Sequence, residues 1–319
     1  MKTILYSKKY NISYVFTPKV ACSTLKGSLL DKPIGEAGTV HQRSLFGFPS
    51  SSDARFFAIT RNPYARALSG YRDKIGKGKD ENVWNAFAKK YSLDIEFTPS
   101  FYEFLTILQK DTNRKDYDRH FRPQVYTLHV NHIEYDYLGR IEKMDDVVQY
   151  LSEYGITVVT RAPHKTGSSE DYRNIITKEE EELINEIYGE DFEFFGYEMK
   201  LESTYVPAPK RNKNRQISEL YQFIFWAHSF GINFETLEKF KVWYELNATN
   251  GQVQSSFALS FKKFVEDVLK VNIRWAKFEC FRCDAMTILT RGRRRKHYKA
   301  KKGDIEKIVV FLKEPIFQL

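Results

Sequence analysis

The sequence predicts an α/β fold for residues 1–205, joined by a linker at 206–215 to a smaller, helix-rich α+β module over 216–319. Three observations carry this. Short apolar runs alternate with longer helical patterns through the first part, the signature of strands and helices packed in layers. The segment Val206-Pro-Ala-Pro-Lys-Arg-Asn-Lys-Asn-Arg215 is polar, proline-bearing and basic, as a linker is. The charge also shifts: residues 1–200 hold 28 Lys and Arg against 29 Asp and Glu, and the remaining residues hold 22 against 12.

The elements follow in chain order. Ile12–Phe16 reads as a strand and Val20–Leu30 as the helix after it. Phe56–Thr60 is a second strand, and the helix that follows opens with Asn62 as N-cap and Pro63 in its first turn, running to about Lys74. Thr98-Pro99 opens a helix through Gln109, and Tyr137–Glu142 is a third strand. A helix from Asp145 closes at Gly155, and Thr177-Lys-Glu-Glu180 is a capping box opening an acidic helix to Tyr188. In the second part, Ile217–Phe230, Phe234–Leu246 and the amphipathic Phe257–Val271 read as helices. Arg274–Cys280, Met286–Thr290 and Ile305–Leu312 read as strands, the last following the basic run Arg291–Lys302, which holds eight Lys and Arg. That order is compatible with a winged-helix-like module whose basic hairpin contacts an anionic partner, glycan or nucleic acid, or is simply solvated.

Composition narrows the classes. An apolar fraction of 42% suits a packed core. No apolar run reaches the roughly 18 residues of a membrane-spanning helix, and the first residues lack the apolar stretch of a secretory signal. Three cysteines exclude a disulfide framework. The single Cys280-Phe-Arg-Cys283 pair has no second pair, and no metal cluster is evident. The sequence therefore reads as cytoplasmic and metal-free.

Two segments have the chemistry of anion sites. Pro18-Lys-Val-Ala-Cys-Ser-Thr-Leu-Lys26 runs from the first strand into a helix start. A helix N-terminus offers N–H groups and the positive end of its dipole. Lys19 adds a point charge, Ser23 and Thr24 add hydroxyls, and Val20, Ala21 and Cys22 are small enough for close backbone approach. No glycine lies here, so the loop is not a Walker A motif. It could equally be an ordinary strand-to-helix turn. Arg61 stands at the end of the second strand, where ligands of open α/β sheets gather. Ser69 follows eight residues later, on nearly the same helix face. A guanidinium fork and a hydroxyl suit a terminal phosphate, although the helix arginines could instead be solvated or paired with Asp73.

These segments resemble the 5′-phosphosulfate loop and the 3′-phosphate motif of PAPS-dependent sulfotransferases. The similarity is to the carbohydrate-type, family 2-like branch, with membrane-anchored Golgi members and soluble bacterial relatives. Arg61-Asn-Pro-Tyr-Ala-Arg-Ala-Leu-Ser-Gly-Tyr-Arg-Asp-Lys74 is similar to that branch's second motif. His120-Phe-Arg-Pro-Gln124, Tyr137-Leu-Gly-Arg-Ile-Glu142, Pro163-His-Lys-Thr-Gly-Ser168 and Phe194-Phe-Gly-Tyr197 follow in the family's order, so that the resemblance covers residues 12–200.

The resemblance implies a P-loop-like parallel sheet flanked by helices, and an enzyme that moves a sulfuryl group from PAPS to an acceptor hydroxyl, leaving 3′,5′-ADP, with no metal. It implies that Lys19 holds the bridging oxygen, that residues Val20, Ala21, Cys22, Ser23 and Thr24 hold the 5′-phosphate, and that Arg61 and Ser69 grip the 3′-phosphate. Lys165, Thr166 and Ser168 would close over the donor. His41 is the candidate general base and His120 its rival; His120, Gln124 and Glu142 are candidates for the acceptor side. The acceptor itself is favoured as a carbohydrate by the branch alone. Two alternatives stay open: a nucleotide or small-molecule kinase on a similar fold, or a non-catalytic binding protein built around the basic module.

Overall fold

The computed structural model describes residues 3–30, 53–76, 80–158, 172–251, 256–269 and 292–312. The chain divides into two compact units, one built on the described residues up to Gln216 and the other on those from Ile217. The first unit is a mixed α/β structure around a five-stranded sheet in the order β1 (Ile4–Ser7), β2 (Ile12–Val15), β3 (Arg55–Thr60), β4 (Tyr137–Arg140) and β5 (Lys210–Arg211). The sheet expected to be parallel is so only at its centre. β2, β3 and β4 are parallel, with Val15 opposite Ala58 and Thr60 opposite Arg140. Both edges are antiparallel: β1 forms a hairpin with β2, and β5 pairs with β4.

The central strands are buried almost throughout, which is why they read as apolar runs rather than alternating ones. On one face α1 (Cys22–Leu29) and a helix at Met144–Ser152 contribute Leu25, Leu29, Val147 and Leu151 to a core with Tyr14, Phe57, Ile59 and Tyr137. Tyr14 stacks on Phe57 with ring centroids 4.7 Å apart, and Tyr137 on Tyr150 at 4.0 Å. After β3, α2 (Pro63–Lys74) begins as the sequence predicts, with Asn62 Oδ1 accepting from the Tyr64 N–H at 3.0 Å. α3 (Glu81–Tyr91), which the sequence reading did not anticipate, follows. α4 (Phe101–Lys110) is opened by a capping box of Ser100 and Glu103. α5 (Gln124–Thr127) is a single short turn, and α6 is the Met144–Ser152 helix. α7 (Lys178–Phe195) has the expected capping box at Thr177 and Glu180. It passes the expected end at Tyr188 through one non-helical residue there (φ −111°, ψ 19°) and continues to Phe195.

The stretch at 206–215, expected as a linker, supplies the edge strand β5 and an anchor. Arg215 donates to the Ala54 carbonyl and lies 3.1 Å from Asp136, a carboxylate that also takes Arg55 at 2.8 Å and the Phe56 N–H at 2.7 Å. The sequence shows no sign of this because the partners of Arg211 and Arg215 lie far away along the chain.

The second unit packs α8 (Glu219–Ser229), α9 (Phe234–Thr249) and α10 (Phe257–Asp267) through Phe223, Phe240, Phe261 and Phe264. The expected final strand at Ile305–Leu312 is instead helical, within α11 (Gly292–Phe311), which also takes in most of the basic run. Its buried residues Ile305, Ile308 and Leu312 are spaced three and four apart, a helical stripe that outweighs the β-branched run. A winged-helix reading thus loses its last strand. The other two expected strands, at 274–280 and 286–290, lie outside the described residues.

Candidate functional site

The three parallel strands end at one edge of the sheet, and the candidate residues follow directly from those ends. The loop from β2 into α1 has no glycine, yet Lys19 (φ 69°) and Ala21 (φ 47°) both adopt left-handed backbone. Each such residue costs on the order of 1–3 kcal/mol and persists only where its surroundings hold it. Val20 between them is fully buried and acts as the anchor. The alternation of hand curls the chain into α1, where Ala21 is the N-cap and makes no side-chain cap. The helix itself offers no carbonyl to the N–H groups of its first turn, Cys22 to Thr24.

Arg61 is brought to this loop. Its Nη1 donates to the Lys19 carbonyl at 3.1 Å. Burial lowers the guanidinium's pKa and Glu142 partly restores it. The Lys19 ammonium lies 3.4 Å from Asp73 on α2, which also holds Lys74 at 3.1 Å. Burial lowers the Lys19 pKa, with Asp73 opposing. For Asp73, burial acts upward, but Lys19 and Lys74 more than offset it and hold the carboxyl below its ordinary range. Ser69, four residues before Asp73 on the same helix, is 3% exposed, and its Oγ has no hydrogen-bond partner among the described residues. It shares this with other buried hydroxyls of the same unit, among them Ser13, Tyr14 and Thr17.

The acceptor-side expectations need correction for Gln124. This side chain is fully buried and is bonded to the Arg61 backbone at both ends: Oε1 accepts from the Arg61 N–H at 3.0 Å, and Nε2 donates to the Arg61 carbonyl at 2.9 Å. Glu142 accepts from the Asn62 N–H at 2.7 Å and from the Tyr197 hydroxyl at 3.0 Å, so it too braces the residue after β3. His120 is held by Asp118, whose Oδ1 lies 2.6 Å from Nδ1 and accepts the His120 N–H at 2.9 Å. Its carbonyl packs against α2 so closely that a Cβ on Gly70 would lie 3.0 Å away. His41, Lys165, Thr166 and Ser168 lie outside the described residues.

Sequence reasoning set Asp73 against the arginines of its own helix rather than against Lys19, and missed Asp118 and Asp191 as partners. Asp118 had a local signal, two residues before the histidine it holds. The others did not: Asp73 pairs across 54 residues with Lys19, and Asp191 meets Gln124 across 67.

The fold and site thus define an α/β protein in which the β2–α1 loop and Arg61 meet at the ends of its central strands. The chain belongs to the sulfotransferase family, whose model matches residues 2–198. Among curated proteins it is similar to carbohydrate sulfotransferase 12 of Xenopus laevis, 24% identical over 61% of this chain and 60% of the relative. It is also similar to carbohydrate sulfotransferase 14 of Danio rerio, 25% identical over 62% of each, and to the Homo sapiens protein of that name, 24% identical over 51% and 48%. The chain therefore spans between about half and three-fifths of the length of these relatives. No solved structure matches significantly.

Proposed function

We propose that this chain transfers a sulfuryl group from PAPS to a hydroxyl of a carbohydrate. The observation that carries the reading is the junction of the two anion sites, through the 3.1 Å bond from Arg61 to the Lys19 carbonyl. Two phosphate-binding elements that touch suit a ligand with phosphates at both the 3′ and 5′ positions. In this reading the buried Ser69 Oγ, on the helix that follows Arg61, is the hydroxyl offered to the 3′-phosphate. The names of the relatives support a carbohydrate acceptor, and the family match leaves the kinase reading without support.

In this reading the β2–α1 loop is P-loop-like without glycine, its two left-handed residues doing what glycines do elsewhere. When bound, PAPS supplies the sulfuryl group as an activated anhydride. The first-turn N–H groups and the hydroxyls of Ser23 and Thr24 hold the 5′-phosphate. The Lys19 ammonium, already partly desolvated, neutralises charge as it builds on the leaving oxygen, an electrostatic task that requires no change of position. Arg61 and Ser69 hold the 3′-phosphate. A histidine takes the acceptor proton. His41 and His120 are the candidates; among the described residues, His120 has a carboxylate partner that fixes its ring, Asp118 at Nδ1.

The test is release of 3′,5′-ADP by the full chain given PAPS and a panel of polysaccharides bearing free hydroxyls. The expected result is release that depends on the polysaccharide and on His120, falling about 10²- to 10⁴-fold in His120→Ala. Turnover of ATP in place of PAPS would contradict the assignment.

A further inference from the structure

We propose that Gln124 is the positioning residue of the 3′-phosphate arginine: it extends the sheet ladder by one rung and thereby sets the direction of Arg61. The proposal rests on the assignment of Arg61 to the 3′-phosphate. The β3–β4 ladder ends with Thr60 opposite Arg140. α2 begins only at Pro63, so the backbone of Arg61 lies past the last ladder rung and before the helix. Gln124 fills that gap with its side-chain amide, taking the Arg61 N–H at 3.0 Å and giving an N–H to the Arg61 carbonyl at 2.9 Å. An amide that pairs with both backbone groups of one residue, as a neighbouring strand would, restrains both torsions of that residue.

Gln124 is itself held. Asp191 of α7, fully buried, accepts the Gln124 N–H at 2.8 Å and the Val125 N–H at 2.9 Å, one on each oxygen, and faces Gln124 Nε2 at 3.4 Å. The carboxylate thus closes the first turn of α5 and fixes the amide's orientation, with its nitrogen toward the Arg61 carbonyl. Burial pushes the Asp191 carboxyl up to about 6, and the Arg66 charge and the bonds from Gln124 and Val125 act against it. Burying a carboxylate is costly unless its bonds are made, and here most of them go to Gln124. The glutamine is 0% exposed, so it has no surface to offer an acceptor. Its effect reaches the ligand only through Arg61, whose long side chain turns a small change of backbone angle into a large displacement of the guanidinium. Groups one step removed from a ligand set its contacts in this way.

The experiment is calorimetric titration of the full chain with 3′,5′-ADP and with 5′-AMP, for the natural protein, for Gln124→Glu and for Gln124→Met, each also in an Arg61→Ala background. Glutamate keeps the acceptor for the Arg61 N–H and loses the donor to its carbonyl; methionine keeps the length and loses both. Either change should weaken 3′,5′-ADP by about ten-fold, the equivalent of one lost bond near a charged group, and leave 5′-AMP within about two-fold. With Arg61 already alanine, neither should lower 3′,5′-ADP affinity further. Equal weakening of both nucleotides, an unchanged preference, or a full effect in the Arg61→Ala background would overturn the proposal and leave Gln124 a residue of the fold alone. A natural protein that binds the two nucleotides equally would fail earlier, at the assignment of Arg61.

Discussion

Replacing Lys19 by methionine should lower sulfuryl transfer by about two to three orders of magnitude, the usual loss when one preorganised charge is removed from a leaving group. Methionine keeps most of the unbranched stem and removes the ammonium with its charge and its N–H donors. The loop should survive the change. Its path is set by the left-handed backbone at 19 and 21 and by buried Val20, and the bond from Arg61 goes to the Lys19 carbonyl, which any residue supplies. Asp73 keeps Lys74 at 3.1 Å, so no carboxylate is stranded. Steady-state kinetics with PAPS, together with 3′,5′-ADP titration, separates the effects: turnover should fall far more than affinity for 3′,5′-ADP. Parallel losses in both would mean that Lys19 binds the donor without assisting the transfer.

Arg61→Lys should weaken 3′,5′-ADP by about ten- to a hundred-fold, since a charge-assisted fork is worth roughly 1.5–3 kcal/mol and an ammonium cannot make parallel bonds. The change removes a second contact as well, the bond from Nη1 to the Lys19 carbonyl, so the two anion sites lose their link. Affinity for 5′-AMP, which has no 3′-phosphate, should change little. Titration of both nucleotides reads this directly, and equal losses would place the 3′-phosphate elsewhere.

Much of the sheet was legible because its strands are buried on both faces and its helices carry their signals locally: Asn62 with Pro63, and Thr177 with Glu180. The strand-to-helix turn at Lys19 and the place of Arg61 at a strand end were legible in the same way. The bracing of those residues was not legible. Gln124 and Glu142 are polar residues in a motif, and sequence alone reads such residues as facing a substrate; only the tertiary pairing turns them toward the backbone of Arg61 and Asn62. The edge strand β5 is two residues long and basic, with nothing in its composition to separate it from a linker. The last helix was misread for a related reason. Ile308, Val309, Val310 and Phe311 carry strand propensity, and the decision lay with burial at Ile305, Ile308 and Leu312. Backbone hand at Lys19 and Ala21 left no trace either, because neither residue is a glycine.

The two adjoining anion sites should take one ligand with phosphates at both the 3′ and the 5′ positions of its ribose. Calorimetric titration of the full chain with 3′,5′-ADP, 5′-AMP and ATP tests it most directly. 3′,5′-ADP should bind at least about ten-fold more tightly than 5′-AMP, as one charge-assisted phosphate contact requires, and more tightly than ATP. Equal binding of 3′,5′-ADP and 5′-AMP, or preference for ATP, would contradict it.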